Sequence, residues 1–237
     1  MLVRRFTFST LVILLLLCTL WLQAQPHLLP SDILKELYAD SGWIQIDSLN
    51  NGQCIFTKRI AGSDIPATMV KQVAAVSSTA LLSAIEDVEN YLNFIHDPYL
   101  KRSDLLKKTP HYIDGYQFFD LPFIANRHTI FRMVKNDGFD DGRVRFEWTL
   151  VPRESEYAAF LDSMDVIYKN PVYLALNTGG WEIIPLSGGK VEVTYRLHLD
   201  PAGWVPDFLV ARGNLINAPK MVENMIKEAV RREKKND

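Results

Sequence analysis

The C-terminal end of the chain sets its architecture. Val191, Val193, Tyr195, Leu197 and Leu199 are apolar at every second position, with Glu192, Thr194, Arg196 and His198 between them. That period predicts a strand with one buried face. Asp200-Pro201-Ala202-Gly203 then turns the chain. Pro206 and Asp207 suit the first turn of a helix, where a missing N–H is tolerated and an acid meets the positive end of the dipole. From there Phe208, Ala211, Leu215, Ala218, Val222, Met225, Ile226 and Ala229 recur at helical spacing. One amphipathic helix that follows a run of strands needs a sheet to lie on.

The preceding pattern supplies the sheet. Pro30-Ser31-Asp32 starts a short helix with Ile33, Leu34, Leu37 and Tyr38 on one face, stopped at Gly42. Residues 43–48 and 54–60 are strands joined at Asn50-Asn51-Gly52, a strong hairpin signal, and 67–76 is a third. Residues 77–96 hold three-four spacing through Leu81, Leu82, Ile85, Val88, Tyr91, Leu92 and Ile95, which predicts a helix ended by Asp97-Pro98. A second short helix is expected over 100–108, carrying Leu105 and Leu106, and Pro110 closes it. Strands follow over 112–119, 127–134, 143–151 and 172–186, the last bent at Gly179-Gly180, with an insertion or short helix over 154–169. Ser187-Gly188-Gly189-Lys190 makes the final hairpin. Hairpin connections make the sheet antiparallel and the class α+β. A curved antiparallel sheet wrapped around one long helix encloses a space, which holds a ligand where side chains leave it unfilled.

Residues 1–24 stand apart. Arg4 and Arg5 precede an apolar run over 6–22, and Ala24/Gln25 offers a cleavage point, the pattern of a secretory signal peptide. The alternative is an uncleaved membrane anchor, since the run approaches the roughly 18 residues of a span. The chain is therefore expected to be exported, periplasmic or secreted, or else tethered by its N-terminus. Arg4 and Arg5 are two of the 26 Lys and Arg; the other 24 face 28 Asp and Glu, a net charge of −4. That balance gives no electrostatic basis for nucleic acid as a partner. With Cys18 in the leader, Cys54 is the one cysteine left, so no internal disulfide is expected and the fold rests on its core. No repeat or long linker divides the remainder, which reads as one domain.

Several short stretches resemble a known family. Gly180-Trp181, Ile184-Pro185-Leu186, Gly189-Lys190, Val193-Thr194-Tyr195, Asp200-Pro201-Ala202-Gly203 and Val205-Pro206 are similar to the closing strands and helix start of the START lipid-binding domain. Asn217-Ala218-Pro219 and Asn224-Met225 extend the likeness into the last helix, and Leu121-Pro122-Phe123-Ile124-Ala125-Asn126-Arg127 resembles an upstream loop. Ala202 departs from the pattern, which usually has a second glycine there. The resemblance spans residues 30–233. It implies a helix-grip fold with a deep cavity for a lipid, sterol or other apolar molecule, in the service of lipid binding and transport. The expected partner is thus a lipid or sterol-like hydrophobic ligand, with transient membrane contact and a monomeric state.

If the terminal helix covers such a cavity, the wall is expected from Phe131, Met133, Phe146, Trp148, Trp181, Tyr195 and Leu197 of the sheet. Phe208, Ala211, Leu215, Val222 and Met225 would face them from the helix. The plain alternative is a dry core built by the same stripes. Gly203, Gly213 and Pro219 are points where the helix could yield as a lid, or simply bend to fit the sheet. Arg143, Arg145 and Glu147 alternate with an apolar face and are expected outward, in solvent.

Catalytic signals are sparse. His27, His96, His111, His128 and His198 show no metal-ligand spacing, Asp137–Gly142 lacks calcium-loop geometry, and no nucleophile elbow or phosphate loop occurs. No cofactor and no enzymatic activity are expected. The competing function is a polyketide cyclase or aromatase in which Tyr195, Tyr116 or His198 serves as acid or base.

Overall fold

A computed structural model describes residues 29–236. The leader expected over 1–24 lies outside these residues. The chain runs α1 (Pro30–Tyr38), β1 (Ile44–Ser48), β2 (Cys54–Lys58), β3 (Ala67–Ala74), α2 (Ser78–Glu86), a 3₁₀ turn (Val88–Asn90) and α3 (Tyr91–Phe94). It continues through β4 (Leu100–Lys108), β5 (Tyr112–Phe119), β6 (Arg127–Asn136), β7 (Val144–Leu150), α4 (Ala158–Tyr168) and β8 (Val172–Tyr173). The last elements are β9 (Leu176–Leu186), β10 (Lys190–Asp200) and α5 (Asp207–Asn236).

All ten strands join one sheet, ordered β1-β2-β3-β10-β9-β7-β6-β5-β4, with antiparallel neighbours throughout. The exception is β8, a two-residue strand parallel to the start of β6. The inner face carries Phe131, Met133, Phe146, Trp148, Trp181, Ile183, Val191, Val193 and Tyr195. Ala218, Val222, Met225 and Ala229 of α5 and Leu81 and Ile85 of α2 close over it. Each fully buried side chain of this size contributes about 1.5–3 kcal/mol, so this layer dominates stability. On the outer face, α1 sets Ile33 and Leu37 against Ile60 and Ala67, and α4 sets Leu161 and Met164 against Tyr116, Phe118 and Ile130.

Residues 100–108 form a strand, β4, instead of the expected helix. Both sheet faces are covered here, so adjacent leucines go to opposite cores: Leu105 packs inward and Leu106 against the α4 cluster. Register shifts at Leu100/Arg102 and Leu105/Lys107 break the two-residue period that would have revealed the strand. The helix expected over 77–96 is interrupted at Asp87. Ser103 Oγ donates to the Val88 carbonyl at 2.7 Å and Tyr91 Oη to that of Ile85 at 2.6 Å, so side chains satisfy carbonyls that the break frees. Leu92, assigned to the buried stripe, is 45% exposed.

The strand expected over 172–186 divides at Leu174 and Ala175, not at the glycines. Gly179 and Gly180 lie within β9 because side chains cross them: Trp148 lies over Gly179 on the inner face and Tyr38 over Gly180 on the outer. Arg143, Arg145 and Glu147 do face outward, but Arg145 and Glu147 are half-buried beneath α1 rather than solvated. Arg145 Nε donates to Glu182 Oε2 at 2.5 Å and Arg196 Nη2 to Oε1 at 3.0 Å. The Tyr38 ring sits between the two guanidiniums, 4.3 and 4.5 Å from their centres. Burial alone would raise the Glu182 pKa, but Arg196 and Arg145 outweigh it and hold the carboxyl below its usual range.

Candidate functional site

Between the inner sheet face and α5 lies a cavity of ≈ 180 Å³. The strand period puts Gln117 and Phe119 of β5, Phe131 and Met133 of β6, and Trp148 of β7 on one wall. Asn177 and Trp181 of β9, and Tyr195, Leu197 and Leu199 of β10, form the adjoining wall. The roof is Asn214, Asn217, Ala218, Met221 and Met225, at helical spacing on α5; Tyr91, Asp97 and Leu174 complete the lining. Apart from Asp97 the lining carries no acid, and it contains no histidine, cysteine, lysine or arginine.

The back wall is tied together by ring contacts and hydrogen bonds. The Tyr195 ring stacks on Trp148 with centroids 5.6 Å apart and tilts against Trp181 at 4.5 Å. Burial pushes the Tyr195 hydroxyl well above the usual tyrosine range, so it stays neutral. Trp148 Nε1 donates to Asn177 Oδ1 at 3.0 Å, and Asn177 Nδ2 reaches Thr129 Oγ1 at 3.4 Å. Three methionines, Met133, Met221 and Met225, make the rest of the lining adaptable.

One end is tied by Arg127. Its guanidinium donates to the carbonyls of Ala125, Pro201 (2.8 Å) and Ala202 (3.0 Å), joining the β5–β6 loop to the turn before α5. Ala202 is held at φ 58° and Gly203 at φ 70°, and Asp200 Oδ1 accepts from the Ala202 N–H at 2.8 Å. Ala202 thus adopts the left-handed conformation that glycine would take without strain. Around this end Phe123, Trp204 and Phe208 are 104%, 90% and 70% exposed.

No protein-family model matches the chain, nor does any curated protein sequence. Solved structures do. A STAR-related lipid transfer protein of Xanthomonas axonopodis superposes with a TM-score of 0.67 over 80% of this chain and 99% of its own, at 17% identity. Human STARD10 gives 0.66 over 84% and 78%, also at 17% identity. The chain has a START-like fold. Human StAR-related lipid transfer protein 5 agrees, with a TM-score of 0.65, 12% identity and coverage of 86% and 93%.

Within this START-like, helix-grip fold, the cavity gathers seven of the twelve residues expected from sequence: Phe131, Met133, Trp148, Trp181, Tyr195, Leu197 and Met225. Phe146 and Val222 are buried in the dry core beside it. Ala211 and Leu215 are half-buried and lie outside the lining, and Phe208 is exposed. On α5 the apolar stripe and the cavity lining coincide only in part. The lining follows 214, 217, 218, 221 and 225, a helical period whose first two members are asparagines. Gln117 and Asn177 carry no apolar signal either, though strand parity places them inward with Phe119 and Trp181.

The groups considered for acid–base chemistry are separated by the sheet. Tyr195 lines the cavity, whereas Tyr116 and His198 are buried on the outer face. Tyr116 Oη lies 3.4 Å from His128 Nδ1, and His128 Nε2 lies 3.5 Å from Asp165 Oδ1. Burial lowers the pKa of both His128 and His198 to about 4, against the smaller opposing effects of Asp165 and Asp200. Among the described residues no group of three or more His, Cys, Asp or Glu could hold a metal ion.

Proposed function

We propose that this chain binds a lipid or other hydrophobic small molecule in the cavity between its sheet and α5, and carries it as an exported, monomeric protein. The observation that supports this reading is an apolar, methionine-containing cavity roofed by the terminal helix of a START-like fold. The leader pattern over 1–24 supports export. The cavity, at ≈ 180 Å³, falls short of the roughly 300–1,000 Å³ that drug-sized ligands occupy, so loading requires it to widen.

The first half of α5 is the part suited to move. C-terminal to Pro219, Val222, Met225 and Ala229 anchor the helix in the core; N-terminal to it, Phe208, Leu209 and Ile216 are exposed. Pro219 removes one backbone hydrogen bond, and a side chain built at Gly213 would meet open space. Phe123, Trp204 and Phe208 stand beside this segment as apolar, uncharged side chains suited to an interfacial lipid layer, which supports transient membrane contact. Uniformly slow amide exchange over 203–219, with and without lipid, would count against the lid.

Binding without chemistry is the reading the lining favours. Tyr195 has no imidazole, lysine or cysteine beside it in the cavity, and His128 and His198 lie across the sheet. The test is native mass spectrometry of the purified protein followed by organic extraction. A mass adduct that releases an apolar molecule is expected; a cavity that no lipid class fills overturns the proposal. Turnover lost in Tyr195→Phe with binding intact would replace it with an enzyme.

A further inference from the structure

The cavity holds two buried asparagines, and they are not equivalent. Asn177 spends both ends of its amide on the wall, accepting from Trp148 and donating to Thr129. Asn214, on the roof, is 8% exposed, and its Nδ2 is buried without any hydrogen-bond partner. A buried amide donor left unpaired is costly, and native interiors rarely keep one without a purpose. With neither amide atom tied down among the described residues, a half-turn of the side chain can present donor or acceptor to the cavity.

The surroundings limit what can meet it. The remaining lining within reach of a guest is apolar or neutral, and its single ionisable acid is Asp97. Arg127, a buried cation at the turn before α5, is committed to three backbone carbonyls and is outside the lining. An anionic headgroup would therefore enter the cavity without a counter-ion, at a desolvation cost that nothing repays. A bare hydrocarbon would leave Asn214 unpaired.

We propose that Asn214 is the polar subsite of the cavity, hydrogen-bonding an uncharged hydroxyl or carbonyl of the ligand, and that it selects neutral amphiphiles over anionic ones and over hydrocarbons. This rests on the binding function proposed above. It makes Asn214 a specificity-determining residue on the helix that moves, so the headgroup contact also holds the roof down on a loaded cavity.

The test uses three probes with one C18 chain and different heads: oleyl alcohol, oleyl sulfate and octadecene. Each is offered in equal amount from phosphatidylcholine vesicles, and the protein-bound probe is extracted and quantified. Wild-type protein is expected to enrich oleyl alcohol over octadecene about tenfold, the worth of one buried hydrogen bond, and to exclude oleyl sulfate. Asn214→Leu, close in size, should lose that enrichment while keeping octadecene uptake. Asn214→Ala repeats the comparison if the leucine variant does not fold. Enrichment that survives both substitutions overturns the role of Asn214, as does equal loss of all uptake in variants that fold. Uptake of oleyl sulfate equal to that of the alcohol overturns the selection for neutral ligands. A wild-type protein that takes up none of the probes overturns the binding function itself.

Discussion

Gly179→Ala is the most informative single-atom perturbation of the cavity wall. A Cβ at this position would lie 2.8 Å from Cη2 of Trp148, and closer still to its Cζ2 and to the backbone carbonyl oxygen of Arg196. The carbonyl belongs to the paired strand β10, where Arg196 is in register with Gly180 and Leu197 with Gly179, so it cannot withdraw without opening the ladder. Trp148 can yield only by giving up its bond to Asn177 and its stack on Tyr195. Overpacking of this kind costs about 3 kcal/mol, and the smaller unfolded-state entropy of alanine returns about 0.5–1. A net loss near 2 kcal/mol lowers the Tm by about 4–8 °C in a domain of this size. Thermal unfolding followed by far-UV circular dichroism measures the loss, and near-UV dichroism reports the displaced indole. Gly180→Ala is the control. Its nearest neighbour is the tip of Tyr38, which can swing away with α1, although the Phe146 carbonyl at 3.0 Å limits the relief. It should cost less and leave the Trp148 signal unchanged. A Gly179→Ala protein as stable as wild type, with an unaltered near-UV spectrum, would refute the packing described for this wall.

Other consequences can be measured independently. Ala202 sits at φ 58°, so Ala202→Gly should stabilise the domain by about 0.5–1 kcal/mol, seen as a higher urea midpoint at constant m-value. His128 and His198 are neutral in the folded state down to about pH 4, whereas in the unfolded chain they take up protons from about 6.5. The unfolded state therefore binds more protons in that window, and stability should fall as pH drops from 6.5 to 4, on the order of 1–3 kcal/mol per histidine. His128→Phe should flatten part of that slope in pH-dependent urea titrations; an unchanged slope in a folded variant would contradict the assignment. Serine at Phe123, Trp204 and Phe208 together should reduce vesicle co-sedimentation at least about tenfold without changing the Tm, because each aromatic contributes about 1.5–3 kcal/mol when buried in lipid.

The parts of the fold legible in sequence were those whose two faces differ in polarity, whether or not the polar face is covered. β10 and β7 alternate cleanly because their inward and outward residues differ in polarity, and the α+β order and terminal helix follow from them. β4 was illegible because both of its faces take leucines and two bulges shift its period, so Leu105-Leu106 reads as a helical pair. The glycines of β9 were visible, but their cause was not: a bend and a crossing side chain leave the same sequence mark, and only the positions of Trp148 and Tyr38 separate them. On the helix, apolarity pointed to Ala211, Leu215 and Val222, while the cavity is lined one step around, through Asn214 and Met221. Polar residues on a buried face carry no periodic signal of their own. The pairing of Arg145 and Arg196 with Glu182 was hidden likewise, since parity shows which way a charge points and not that α1 covers it.

The central claim is that an apolar guest occupies the space under α5. Photo-crosslinking with a C18 alcohol carrying a mid-chain diazirine tests it most directly, with adducts mapped by peptide mass spectrometry. The account predicts labelling of Met133, Leu197, Met221 and Met225, abolished by excess unlabelled oleyl alcohol. Adducts confined to the exposed Phe123, Trp204 and Phe208, or labelling that excess unlabelled alcohol leaves unchanged, would contradict it.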